Sequence, residues 1–148
     1  MFLHSGTILK STSSMDDANF NDVIILITAY NEHGATGFVT NKLFHRPLNH
    51  LAEFSYCLPF PLYDGGPVDR EHLFFIHRCP GIIPGGAPVT GDIFFGGDFK
   101  KAIAAINEKR IGEADIKLCI GYCGWDAQQL EAEIEEGSWM AIEANPFH

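Results

Sequence analysis

The chain has 148 residues, 46% of them hydrophobic and 20% charged, and a net charge of −9. That length suits one domain able to bury most of its apolar surface without staples, and the composition excludes general disorder. The longest apolar run, residues 23–27, is too short to cross a bilayer, and Met1-Phe2-Leu3-His4-Ser5 lacks the basic and apolar regions of a signal peptide, so a cytoplasmic protein is expected.

In chain order, a short strand is predicted around Thr7-Ile8-Leu9. A β-branched, continuously apolar strand over 23–30 follows, a pattern that suggests cover on both faces. Asn31-Glu32-His33-Gly34 is a turn, and residues 37–41 form the returning strand of a hairpin whose loop is longer than the tightest type. Residues 47–54 form a brief helix with Leu48, Leu51 and Phe54 inward. Leu62-Tyr63-Asp64 is an edge-like strand leading into Gly65-Gly66-Pro67-Val68, and residues 72–77 are a strand. Three prolines and three glycines make 79–88 a loop, and 92–95 is a further strand.

Asp98 caps a helix whose Phe99, Ala102, Ile103 and Ile106 follow i, i+3, i+4, i+7 spacing, with Lys109 and Arg110 at its negative end and Gly112 as terminator. A strand over 116–120 then enters the turn Gly121-Tyr122-Cys123-Gly124-Trp125. A second helix opens at Asp126, with Gln129 at capping-box spacing, and buries Ala127, Leu130 and Ile134. Gly137 ends it and residues 138–142 form the last strand. Strands dominate and two helices come late, which defines an α+β domain.

Several chemistries find little support. Four cysteines (Cys57, Cys79, Cys119, Cys123) without an export signal are expected to be reduced thiols, and no second close Cys or His pair joins Cys119 and Cys123 to complete a tetrahedral zinc site. No metal and no cofactor is expected. Gly65-Gly66-Pro67 and Gly96-Gly97-Asp98 are candidate ligand loops, but neither fits a nucleotide-binding pattern, and tight turns account for both. Cys123 in a glycine-flanked turn could expose its sulfur, and Cys79 beside Arg78 could have a lowered pKa. His72 and His77 fall on opposite faces of their strand. Residues 118–148 carry six acids and no Lys or Arg. Cations cluster only at Lys100-Lys101 and Lys109-Arg110, which disfavours direct nucleic-acid binding by a monomer.

The ordered motifs resemble the YqgE/AlgH family of bacterial proteins. They are Met15-Asp16-Asp17-Ala18-Asn19-Phe20 before the first long strand, Gly34-Ala35-Thr36-Gly37 running to Asn41-Lys42, and Gly65-Gly66-Pro67-Val68 before a strand ending in His77. The run Gly121 to Trp125 with Gln129-Leu130-Glu131 and Trp139 completes the set. The resemblance implies coiled, bifurcated, mainly antiparallel β-sheets with flanking helices. It also implies a label of transcriptional regulator that comes from genetic association, without a DNA-binding motif. It carries over no catalytic residue. Two departures stand out: Ser13-Ser14 replaces the usual proline before the first aspartate, and the chain lacks the family's usual helical segment beyond the last tryptophan.

The resulting expectation is a non-enzymatic binding or regulatory protein that contacts a protein or small ligand through Asn41, Gly65, Gly66, Pro67, Cys123, Gly124 and Trp125. Charge reversal at Gly66 (Gly66→Glu) suggests itself as the probe of that surface. Two alternatives are an oligomer that gathers the α-helical cations to bind DNA, and a thiol-dependent enzyme or redox sensor using Cys123 or Cys79. The oligomeric state is open.

Overall fold

Continuous runs of β-branched residues place the middle of the molecule in sheet. The computed structural model describes residues 3–15 and 17–147; Asp16 of the expected Asp16-Asp17 turn lies outside them. In chain order the elements are β1 (Ile8–Ser11), β2 (Ile24–Asn31), β3 (Gly34–Val39), β4 (Leu62–Asp64), β5 (Val68–His77), β6 (Ala87–Thr90), β7 (Ile93–Phe95), α1 (Phe99–Asn107), β8 (Ile116–Asp126), α2 (Gln129–Glu135) and β9 (Trp139–Ile142). The strands form one sheet in the order β6-β7-β5-β8-β3-β2-β1-β9, with β4 beside β8. Every pairing is antiparallel except β4 with β8. The fold is α+β, as expected.

Strand β8 is where the sheet forks. β5 occupies one of its edges, while the other edge is shared: β4 pairs with Leu118 to Ile120, and β3 with Cys123 to Asp126. Gly121-Tyr122-Cys123-Gly124-Trp125 therefore lies inside an eleven-residue strand and not in a turn. The expected helix at Asp126 begins instead at Gln129, after Gln128 in a left-handed conformation. Asp126 supplies no cap; its backbone N–H donates to Gln129 Oε1 at 2.9 Å, across the turn that precedes the helix. Ala127 is exposed as a result, while Leu130 is fully buried.

Other elements differ from expectation for identifiable reasons. The β2–β3 hairpin closes through Glu32 and His33 alone, because Asn31 Oδ1 accepts the His33 N–H at 2.7 Å and Asn31 pairs with Gly34. Residues 47–54 form two 3-10 turns, Leu48–His50 and Ala52–Phe54, in place of a helix. β4 is no free edge: beyond β8, its Leu62 carbonyl accepts the Phe44 N–H and its Asp64 N–H donates to Lys42. β6 occupies the end of the expected loop, with Pro88 tolerated on an edge strand.

Helix α1 follows its sequence. Asp98 caps it by accepting the Lys101 N–H at 3.1 Å, and Ala102, Ile103 and Ile106 are buried. Lys109, at φ 60, ends it in the left-handed conformation, where Gly112 was expected to do so. Three cores result. One lies under α1 with Leu62, Phe75, Leu118 and Ile120; a second joins Leu9, Ile25, Val39, Trp125 and Trp139; a third holds Leu26, Ile76, Val89, Ile93 and Phe147.

Candidate functional site

The fork in the sheet leaves a cleft between its branches, and Gly65 is the residue that knits the fork. Its N–H donates to Ile120 of β8 at 2.8 Å, and its carbonyl accepts the Val39 N–H of β3 at 2.9 Å. The turn from β4 to β5 passes so close to β8 that a Cβ on Gly66 would sit 2.2 Å from the Tyr122 backbone, and one on Gly121 would sit 2.4 Å from the Gly66 carbonyl. Both glycines also hold positive φ, 155° and 73°. Gly65-Gly66 is thus required for backbone approach, and Gly66→Glu would test folding before it tested any surface.

The cleft has a volume of about 260 Å³ and is lined by Val23, Val39, Lys42, Asp64, Gly66, Pro67 and Arg70. Arg70 straps the turn. Its Nη1 donates to Asp64 Oδ1 at 2.5 Å and to the Gly66 carbonyl at 2.9 Å, and its Nη2 approaches Asp64 Oδ2 at 3.4 Å. Lys42, half-buried, enters no ion pair among the described residues. Asn41 holds the segment carrying Lys42: its Oδ1 accepts the Ile24 N–H at 2.9 Å and its Nδ2 donates to the Asp22 carbonyl at 3.1 Å.

Lys117 is buried one residue behind this lining. Its Nζ donates to the Thr40 carbonyl at 2.7 Å and lies 4.2 Å from the centre of the Tyr63 ring. Thr40 adjoins Val39 and Tyr63 adjoins Asp64. Burial draws the Lys117 pKa below the ordinary lysine value, against a smaller upward pull from Cys119. No carboxylate faces it among the described ion pairs.

The residues expected to form one surface are divided by the fold. Gly66 and Pro67 line the cleft, Gly65 and Asn41 build its frame, and Cys123 lies beneath, its Sγ donating to the Gly65 carbonyl at 3.4 Å. Gly124 is exposed beside Thr36 of β3, and Trp125 belongs to the second core. Trp125 and Trp139 meet edge to face at 6.2 Å, and both indole N–H groups donate to Glu133 Oε1, at 3.1 and 3.0 Å. Glu131 accepts the Tyr30 hydroxyl at 2.7 Å. Part of the acidic face expected on α2 therefore serves internal hydrogen bonds.

The thiols do not have the environment that nucleophilic chemistry needs. Burial pushes Cys119 and Cys123 up to about 12. Cys79 is also raised, first by burial and then by Asp115, and the nearby Arg78 offsets this only partly. Cys123 is buried and Cys79 is raised, so neither takes up the exposed or lowered state that its sequence neighbours allowed. Among the described residues no group of three potential ligands could hold a metal, and no helix is long and apolar enough to cross a membrane. Of the cations on and just after α1, Arg110 is engaged by Glu108 at 2.8 Å.

Sequence reasoning found the glycines and Pro67 but missed Lys42, Asp64, Arg70 and Lys117 as a group, since they converge from four separate segments. The one available signal was Lys117 itself, a single cation within the apolar run of β8.

A forked, mainly antiparallel sheet with two late helices and a polar cleft at the fork defines the class of protein. The chain belongs to the AlgH-like family, DUF179, whose model matches residues 8–148. It is 34% identical to a UPF0301 protein of Chlorobaculum tepidum over 97% of this chain and 76% of that one. A UPF0301 protein of Bacteroides thetaiotaomicron is 32% identical over 91% and 69%. The solution structure of AlgH from Pseudomonas aeruginosa aligns with a TM-score of 0.76 at 27% identity, over 96% of this chain and 78% of that one. A crystal structure from Corynebacterium diphtheriae, also at 0.76 but 20% identical, covers 99% and 78% and shares the fold.

Proposed function

We propose that this chain is a non-catalytic binding protein whose regulatory contact, with a small ligand or a protein group, is made in the cleft at the fork of the sheet. The observation that carries the reading is the state of its polar groups. Among the described residues Lys42, half-buried in a concave site, joins no ion pair, and a charged group placed in a cleft in this way suits a ligand pocket. The buried, raised thiols give no support to a thiol enzyme or redox sensor. Direct duplex binding is disfavoured by a net charge of −9 and by the small basic group on and just after α1, of which Arg110 is held by Glu108. Any effect on transcription is then indirect, and the expected setting is the cytoplasm.

Native mass spectrometry of protein gently purified from its host tests this reading. Pro67→Trp blocks the cleft from an exposed turn position, and Lys100→Glu serves as a control on α1. A mass retained by the unaltered chain and by the control, but lost from Pro67→Trp, is the expected result. Equal retention by Pro67→Trp, or a bare chain from every preparation, would overturn it.

A further inference from the structure

The charges of the cleft specify the class of ligand, an inference that rests on the cleft being the binding site. We propose that it takes a small monocarboxylate, with the anionic group against the Lys42 ammonium and a short apolar body against Val23, Val39 and Pro67.

Three charged side chains line the cleft, and two of them cancel. Asp64 and Arg70 are joined at 2.5 and 3.4 Å, and the guanidinium is further committed to the Gly66 carbonyl. An unpaired Asp64 would repel an anion; neutralised by Arg70, it leaves Lys42 as the charge a ligand meets. Behind the wall, Lys117 donates to a carbonyl and lies over an aromatic face, through residues adjoining Val39 and Asp64, and joins no ion pair among the described residues. A buried amino group with no carboxylate partner is costly to ionise, and a nearby anion offsets that cost. The same argument disfavours a cationic ligand, which would meet two lysines of its own sign.

Size and charge number narrow the class. At about 260 Å³ the cleft falls just below the common range for drug-sized ligands, roughly 300–1,000 Å³. Of its apolar lining only Pro67 is exposed, with Val23 and Val39 almost wholly buried behind it, so it offers contact to no more than a few carbons. A phosphate dianion would need a second cation, and recruiting Arg70 would uncover Asp64 against it. Nonspecific attraction does not favour such binding, because a chain of net charge −9 repels anions at a distance.

The test is a titration of ¹⁵N-labelled protein with butyrate, with butylamine and inorganic phosphate as comparisons at fixed ionic strength. Saturable shifts with butyrate are expected at the amides of Val39, Lys42 and Gly66, with none from butylamine. Lys42→Met should weaken butyrate by about tenfold, and Lys100→Met should leave it unchanged. An unchanged spectrum away from the cleft confirms that the Lys42→Met chain is folded. Equal butyrate affinity in Lys42→Met, tighter binding of phosphate or butylamine, or no shift at the cleft with butyrate would each overturn the monocarboxylate. The mass-retention experiment with Pro67→Trp does not depend on charge. A cleft that retains a neutral or cationic mass there, yet ignores butyrate, would therefore sink this inference while leaving the binding site in place.

Discussion

The two ends of β8 solve opposite problems. Near its C-terminal end, the tryptophan corner is internally satisfied: Trp125 and Trp139 share Glu133, Gln129 Nε2 donates to the other oxygen of that carboxylate at 3.2 Å, and Tyr30 is held by Glu131. At the fork, by contrast, neither Lys42 nor the buried Lys117 joins an ion pair among the described residues, and Lys117 donates to a neutral carbonyl. Polar groups that complete one another hold a structure together, and polar groups left incomplete are available to something else. The more conspicuous motif in the sequence is thus the structural one.

The strongest way to break this comparison is at the tryptophan corner. Trp139→Ala removes a side chain only 2% exposed that packs on Trp125 and Phe20, and should destabilise by about 3–5 kcal/mol in urea unfolding. Glu133→Ala leaves two partly buried indole donors without their acceptor, and about 2 kcal/mol is expected. If either change were silent for stability but weakened ligand retention, the division between the two ends of β8 would be wrong.

Acid sharpens the contrast from a third position. His77 is fully buried; its Nδ1 accepts the Cys79 N–H at 3.1 Å, so the proton sits on Nε2, which donates to the Gly96 carbonyl at 2.9 Å. Burial lowers its pKa below 6.5, partly offset by the Gly96 hydrogen bond. The unfolded chain therefore binds a proton that the folded chain refuses between those two values. The stabilising contribution is complete above 6.5 and is lost as pH falls through the folded-state value. His72, raised by Asp69, acts with the opposite sign, but it is exposed and screened. Urea midpoints should thus fall from neutral pH toward acid, and His77→Gln should flatten that slope. A slope unchanged in His77→Gln would remove His77 as its source.

How much of this was legible in the sequence depended on whether the cause was local. Helix α1 was legible because its cap and stripe lie within nine residues of each other, Asp98 holding Lys101 and Ile106 closing the apolar face. The run Gly121 to Trp125 misled because a glycine most often signals a turn. Gly121 is small because the β4–β5 turn crosses it, a contact between residues more than fifty apart in sequence. The first half of β5 was missed because Val68 to His72 is exposed and carries no apolar alternation. The cleft was half legible. Gly66 and Pro67 stood out by type, whereas Asp64 and Arg70 resemble any surface ion pair until the turn between them is folded.

The smallest expected effects on stability are at the cleft. Arg70→Met removes a surface-exposed ion pair and the strap to Gly66, and should cost at most about 1 kcal/mol. Its larger consequence is electrostatic: the uncovered Asp64 should weaken butyrate and favour butylamine. Lys42→Met should change stability by no more than about 0.5 kcal/mol, since the side chain is half-exposed and joins no ion pair among the described residues. Loss of butyrate binding with an unmoved urea midpoint is therefore the signature of a residue kept for a ligand. A clear loss of stability in Lys42→Met would instead make the lysine part of the scaffold, and the fork would then resemble the tryptophan corner after all.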